Sequence, residues 1–478
     1  MPHLPIPPDS MDARLDADRV ALPDLLAEAQ AQAVAFLKSL PDRPAAAPPL
    51  DLGAVALPEG GLGAAAALAD FRARIEPYLS GSAGPRYLGL VTGGSTPAAL
   101  AADWLVSAYD QNVSNAVGSA AAGVEAQALD MLRQLFDLPP EFAGVLVTGG
   151  TMANFVGLAA GRQWAGEAMG VDVAEEGLAA APDIAVFSAT PHASAVKALA
   201  MLGMGRRSIR RVPTLPGREA MDVEGLRTAL AVHGGKPAIV LASACTVNTA
   251  DFDDVADIAE IARAHNAWLH VDAAFGLFAR VAPEKADLAR GVELADSVAA
   301  DGHKWLNVPY DCGFTFCRHL DAQERVFRVS APYLSRLGGS APDFLNRGPE
   351  NSQRFRALPV WMTLTAYGRA GYREIVERNC RVAAGLGAWL EASPLFELLA
   401  PVRLNIACFR LSDAALRGQA PDVATARLVD RLHRDGRVFV TPTTYGAGPA
   451  VRAAVSNWST TDADLPIICA AMEAAAVD

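Results

Sequence analysis

The nine residues Asp301–Pro309, DGHKWLNVP, place a histidine, a lysine and a tryptophan directly after the apolar run Ser297–Ala300. A lysine at the end of such a run is either a surface residue or a desolvated amine. A desolvated amine is the form that condenses with carbonyl compounds. His303, Trp305 and the apolar run favour the second reading for Lys304. In HVDAAFG, residues 270–276, Asp272 has the same problem with opposite sign. A carboxylate in so apolar a setting needs a helix N-terminus, an arginine or a cationic ligand ring as its partner. VLVTGGTMANF, residues 145–155, reads as a strand, a glycine turn and a helix start. There Gly150, Thr151 and the first helical N–H groups suit a phosphate. That signal is weak alone, because its spacing matches neither a dinucleotide fingerprint nor a P-loop.

One ligand answers all of these residues together. Pyridoxal phosphate offers an aldehyde to Lys304, a pyridine nitrogen to Asp272 and a phosphate to Gly150, Thr151 and His303. Its flat ring is a surface on which His192 of ATPHASAVKAL can stack. Asp272 would hold the ring nitrogen protonated, and the protonated ring is an electron sink for chemistry at an amino acid α-carbon.

Such residues must be brought together by the fold. Residues 144–150, 183–189, 238–244, 267–274, 296–302 and 312–318 read as strands, with helix-like stretches such as DVADIAEIARAHN between them. Continuous rather than alternating hydrophobicity predicts an α/β fold with a mostly parallel sheet covered on both faces. Ligands of such sheets bind at the carboxyl ends of the strands. Thr148–Thr151, His192, Thr246, Asp272 and His303–Lys304 all fall there. An N-terminal segment (1–80) carries an amphipathic helix with Leu22, Leu25, Leu26, Ala29, Ala33, Phe36, Leu37 and Leu40 at helical spacing. A large domain (81–355) and a smaller C-terminal α+β domain (356–478) complete the predicted organisation.

Of the 478 residues, 51% are hydrophobic and 20% charged, so the chain has much to bury. A net charge of −12 argues against a nucleic-acid surface. Arg206–Arg207 and Arg210–Arg211 read as solvated loop. Six scattered cysteines without a C-x-x-C pair predict free thiols and no metal site. The N-terminus lacks a signal-peptide pattern, and no apolar run reaches the length of a membrane span, so a cytoplasmic protein with no membrane partner is expected.

The ordered set TGGTMANF, TPHASAVKAL, ACTVNTADFDD, HVDAAFG and DGHKWLNVPYDCG closely resembles the group II pyridoxal phosphate-dependent amino acid decarboxylases. PRYLGLVTGGSTPAALAADWLVSAYDQN and SQRFRALPVW are also similar to that family, so the resemblance runs from about residue 20 to the C-terminus. It implies a type I aminotransferase-like (PLP-dependent transferase-like) fold and a homodimer whose N-terminal helix packs on the partner. Carried over by position, Lys304 would be the Schiff-base lysine, Asp272 the ring-nitrogen partner and His192 the stacking residue. Thr246 would lie near the ring and Ala274 beneath it, with Gly150, Thr151 and His303 on the phosphate. Arg452 in VRAAVSNWSTTDADL would contact a substrate carboxylate, the alternative being a structural ion pair.

The reaction implied is loss of CO2 from an L-amino acid to give the amine. In aromatic members a loop tyrosine returns a proton to Cα. Counting back from Trp361 puts Phe344 at that place, and phenylalanine there accompanies aldehyde synthases, which release aldehyde, ammonia and peroxide. Tyr333 and His192 are the other candidate donors, and simple decarboxylation stays ahead. A non-catalytic regulatory homologue is the alternative from another class, and intact Lys304, Asp272 and His192 speak against it. RYLGLVTGG lacks the crowded aromatic run of catechol-binding members. The substrate side chain therefore stays open, with aromatic kept ahead of acidic and diamino ones.

Overall fold

The computed structural model describes residues 11–113, 118–181, 184–329 and 343–477. Among these, seven strands form the large sheet: β1 (Ala143–Val147), β2 (Ala185–Ser188), β3 (Ile209–Arg211), β4 (Ala238–Ser243), β5 (Ala267–Asp272), β6 (Ser297–Ala300) and β7 (Gly313–Cys317). Their spatial order is β1-β7-β6-β5-β4-β2-β3. β2 to β6 are mutually parallel, and β7 runs antiparallel to both β6 and β1. Every residue of β2, β4, β5, β6 and β7 is buried, as the continuous apolar runs require. The covering helix Val255–Ala264 shows the local logic. Asp254 caps it by accepting from Asp257 N, and Val255, Ile258, Ala259, Ile261 and Ala262 are buried at helical spacing. Strand β3 was not expected: Arg210 and Arg211 lie exposed on this edge strand and not in a loop.

The smaller sheet holds β8 (Phe396–Leu398), β9 (Ile406–Leu411), β10 (Thr441–Tyr445) and β11 (Gly448–Ala454), all antiparallel, in the order β10-β11-β9-β8. The long helix Ala357–Ala392, kinked at Gly368, joins the two lobes. Its Val360, Leu364, Tyr372 and Val376 belong to the large core, whereas Val382, Leu386 and Leu390 belong to the small one. By packing, the lobe boundary therefore falls inside this helix. Leu88 also sits in the small-lobe core.

The N-terminal helix runs Met11–Ser39, longer than the amphipathic stripe suggested, and its Leu15, Val20, Leu22, Leu26, Val34 and Leu37 are exposed. The stretch Ala13–Ser39 is long and apolar enough, by length and composition, to cross a bilayer, which corrects the expectation that no run reaches that length. Asp16, Asp18, Arg19, Asp24 and Glu28 lie on it, charges that a bilayer core accepts only at a cost of about 2.5–3.5 kcal/mol or more each at its centre.

The helix Ala121–Leu135 buries Glu125, whose Oε1 accepts from Leu146 N of β1 at 3.1 Å while Oε2 has no partner among the described residues. Burial pushes this carboxyl up from 4.5 to about 8, against the pull of the Leu146 N–H, Arg356 and Arg347. The folded state therefore holds a proton that the unfolded chain releases between these values. Stability from this group is fully present below pH 4.5 and is lost as pH rises towards about 8. Glu125→Gln keeps the neutral shape. Urea unfolding across this range should give a flatter stability curve for the variant, which should be more stable than wild type at pH 8 by roughly 1–3 kcal/mol. Parallel curves for the two proteins would mean that Glu125 does not titrate this way.

Candidate active site

The parallel strands bring their carboxyl ends to one edge, and the register sets Asp272 opposite Ser243 of β4 and Ala299 of β6. Beyond that edge lies a cleft of about 350 Å³ lined by Lys304, Asp272, His192, Thr246, Ala274 and Arg452. These six expected site residues come from five separate segments of the chain.

Lys304 Nζ stands 3.6 Å from Asp301 Oδ2 and 5.6 Å from the centre of the Phe275 ring. The segment carrying it is anchored to the long helix: Trp305 Nε1 donates to Asn379 Oδ1 (2.7 Å), and Tyr372 Oη donates to the Leu306 carbonyl (2.8 Å). Gly93 presses against the Lys304 carbonyl so closely that a Cβ would lie 1.6 Å from its oxygen. Asp272 is 6% exposed and accepts from Asn154 Nδ2 (3.0 Å) and Ala274 N (3.2 Å).

His192 is the N-cap of the helix Ala193–Met201, with Nδ1 accepting from Ser194 N at 3.2 Å and lying 2.7 Å from Ser194 Oγ. The ring opens on the cleft, yet the protein packed behind it holds its pKa below 6.5. Desolvation is the largest cause. Lys304 and Arg452 add to it, while Asp272 and Asp301 oppose it. The imidazole is therefore neutral at pH 7.

Arg452 in β11 donates from Nε to Thr441 Oγ1 (3.1 Å) and from Nη1 to the Val247 carbonyl (2.7 Å). Among the described residues no carboxylate lies within ion-pairing distance of it, so the structural ion pair considered for it is not present. Burial draws its pKa below 12.5. Thr246 lines the cleft as expected, but its hydroxyl is committed to Glu219 Oε2 at 2.6 Å. Glu219 also accepts from Thr249 Oγ1 (2.7 Å), Thr249 N (3.2 Å) and Asn248 Nδ2 (3.0 Å). It faces the same cleft. Nothing in its local sequence, GREAMD, marks it.

Of the phosphate end expected of Gly150, Thr151 and His303, Gly150 and His303 gather around Asp301, while Thr151 lies in the first turn of the helix Gly150–Glu167. The N–H of Gly150 is taken by Asp301 Oδ2 at 3.0 Å, which corrects the expectation that it is open to an anion. His303 Nε2 stands 3.0 Å from Asp301 Oδ1, off the line of a good hydrogen bond, and Nδ1 accepts from Cys312 N at 3.2 Å. Gly149 has φ 137°, and a Cβ there would lie 2.8 Å from His303 Cε1, so only glycine suits this turn. Burial tends to raise the Asp301 carboxyl. Lys304, His303 and the Gly150 N–H outweigh burial and hold it below the usual value. Asp301 was missed in sequence, although the argument applied to Asp272 holds equally for an aspartate after SVAA.

Phe344 does not reach the cleft. It is fully buried in a short turn, Phe344–Asn346, with the Arg347 guanidinium 5.3 Å from its ring, beside Leu129, Phe142 and Phe316. The placement of residue 344 at the reacting carbon is thereby corrected. An apolar ring in a turn capped by Asp343 gains more from the core than from solvent. Tyr333 lies outside the described residues.

The donor set fits pyridoxal phosphate: an amine, a carboxylate held by two donors and a neutral flat imidazole line one cleft, and the helix that starts at Gly150 is linked to Lys304 through Asp301. Lys304 would bind its aldehyde carbon, Asp272 its ring nitrogen, and Thr151 with His303 its phosphate.

Comparison with known proteins agrees. The chain is 27% identical over 391 residues to the aromatic-L-amino-acid decarboxylase of Bacillus atrophaeus, covering 80% of this chain and 79% of that one. It is 27% identical over 362 residues to the L-2,4-diaminobutyrate decarboxylase of Acinetobacter baumannii, covering 72% and 71%. The crystal structure of Oryza sativa TDC with PLP and tryptamine superposes with a TM-score of 0.88 at 25% identity over 99% of both chains. Residues 51–412 match the pyridoxal-dependent decarboxylase conserved domain; the chain belongs to this family of pyridoxal phosphate-dependent carboxy-lyases, which act on amino acids.

Proposed function

We propose that this protein decarboxylates an aromatic L-amino acid to its amine, working as a cytoplasmic homodimer. The carrying observation is the cleft that sets Lys304, Asp272 and His192 against the guanidinium of Arg452, which has no carboxylate partner among the described residues. When bound, pyridoxal phosphate supplies the sink for the electrons left at Cα as CO2 departs. The chain's own residues supply the rest. Lys304 would hold the cofactor through its amine in the cleft beside Asp301. Asp272 places a negative charge where a pyridine nitrogen must stay protonated. Neutral His192 can lie flat on a ring without adding charge to it. Arg452 fixes a carboxylate by charge-assisted hydrogen bonds.

Pro191, Val247, Ala274, Phe275 and Pro442 make part of the cleft wall apolar and support an aromatic side chain, as do the names of the relatives. The aldehyde-forming alternative rested on Phe344, and the buried position of that ring removes its motive. The exposed face of the helix Met11–Ser39, with an apolar groove lined by Ala33, Phe36, Leu68, Phe71 and Trp104, supports a second copy of the chain as its cover. The six free cysteines suit a reducing compartment.

Aerobic incubation with a panel of L-amino acids, following CO2, amine, aldehyde and peroxide together, tests this reading. The expected result is CO2 with an equal amount of amine, greatest for an aromatic substrate. Arg452→Gln should raise KM by roughly tenfold or more, the size of a lost charge-assisted hydrogen bond. Turnover confined to acidic or diamino substrates would overturn the aromatic assignment. Aldehyde with peroxide in place of amine would overturn simple decarboxylation.

A further inference from the structure

From behind the cleft to its wall, seven side chains form one hydrogen-bonded network whose polarity is fixed by Trp268 at one end and Asp272 at the other. Trp268 Nε1, which can only donate, gives its proton to Ser297 Oγ at 2.9 Å. Ser297 Oγ lies 2.8 Å from His270 Nδ1, and His270 Nε2 lies 2.9 Å from Asn154 Oδ1. The Asn154 amide then donates both of its protons: to Asp272 Oδ2 at 3.0 Å and to Ser194 Oγ at 3.2 Å. Ser194 Oγ is 2.7 Å from His192 Nδ1. A flipped Asn154 amide would set its oxygen against the Asp272 carboxylate, so the NH2 group must face Asp272. His270 must then carry its proton on Nε2 and accept from Ser297 at Nδ1. Burial supports this neutral form, pulling the His270 pKa down to about 4. Asn154 is fully buried, and both of its amide protons and its carbonyl oxygen are engaged.

We infer that Asn154 is a positioning residue that sets Asp272 and, through Ser194, His192 in one frame, so that the carboxylate at one wall of the cleft and the imidazole at another keep a fixed mutual orientation. This rests on the cofactor reading of the site given above. Asn154 is fully buried and does not line the cleft; it acts by holding the two groups that do. The Ser194 hydroxyl, oriented by the Asn154 amide, donates to His192 Nδ1. The ring proton of neutral His192 is thereby left on Nε2, the nitrogen free to face the cleft. Asn154 thus also bears on which histidine atom can donate there.

Two variants test this, each first as apoprotein. Histidine ring NMR on uniformly ¹⁵N-histidine-labelled protein gives the titration of His192, and pyridoxal phosphate titration of the apoprotein gives its affinity. The charged groups facing His192 are Asp272, Asp301, Lys304 and Arg452, and neither variant alters them. Ser194→Ala removes a donor to Nδ1, so His192 should titrate at higher pH. Asn154→Ala should raise the His192 titration in the same direction and also weaken cofactor binding by on the order of tenfold or more, as expected when a buried carboxylate loses a donor. The loss of affinity in Ser194→Ala should be the smaller of the two. An unchanged His192 titration in Ser194→Ala overturns the link, even if Asn154→Ala fails to fold. A folded Asn154→Ala with wild-type affinity overturns the hold on Asp272. If wild-type protein binds no pyridoxal phosphate, the cofactor reading fails, and the His192 titrations still decide the link.

Discussion

Lys304→Ala should abolish CO2 release, with activity falling by roughly four to six orders of magnitude, the range seen when a covalent catalytic group is removed. The visible absorbance that purified wild-type protein owes to its bound cofactor should be lost with it. The fold should survive, because the Lys304 side chain is 17% exposed and its ionic partner, Asp301, keeps the Gly150 N–H and His303. Asp301 loses one of the charges that hold its carboxyl low, so some stability should be lost. A carboxyl held below its usual value contributes stability that is present at neutral pH and disappears on acidification. In the variant that loss should be smaller and be complete at a higher pH. Circular dichroism would establish folding, and absorbance with CO2 release would give the rest. Wild-type turnover in Lys304→Ala would remove the lysine from the mechanism.

Asp272→Asn should keep the cofactor more loosely and lower kcat by about a thousandfold. At ~4 Å and an effective dielectric near 20, a carboxylate and a protonated ring nitrogen interact by roughly 4 kcal/mol, and each 1.36 kcal/mol is a factor of ten. The change is also awkward for the protein. The Asn154 amide points its NH2 at Oδ2, and Ala274 N points at Oδ1, so both positions at residue 272 call for acceptors. An asparagine supplies only one. Single-turnover kinetics would separate slower chemistry from weaker binding. An Asp272→Asn enzyme within tenfold of wild type in kcat would show that the carboxylate does not control the reacting ring.

Most strands and the α/β class were legible because burial on both faces writes itself as unbroken apolar runs. β4, AIVLAS, and β5, AWLHVD, are fully buried and stood out. β3 did not, since three residues with two exposed arginines carry no such pattern. Lys304, Asp272 and His192 were legible because each is a polar side chain at the end of an apolar run. Asn154 and Glu219 were not. An asparagine inside a helix and a glutamate in a turn have no local oddness, and their importance comes from partners far along the chain, at residues 194, 270 and 272 for one and 246–249 for the other.

Phe344 shows the opposite failure. Spacing from Trp361 put it at the reacting centre, whereas its side chain belongs to the hydrophobic core. Spacing along a chain measures distance in residues, and a turn can spend several of them without moving towards the site.

The sequence by itself determined the class of fold, the family, the cofactor and the residues of opposite charge that would hold it, because desolvated charges in apolar surroundings need partners and few ligands supply them all. Only the tertiary structure decided which polar groups are already spoken for. It gave the Gly150 N–H to Asp301 and the Thr246 hydroxyl to Glu219, left Arg452 without a carboxylate among the described residues, and joined Asp272 to His192 through Asn154 and Ser194. Hydrogen bonds act over about 3 Å, and which atoms come within that reach is settled by strand register and helix packing, which no short stretch of sequence encodes.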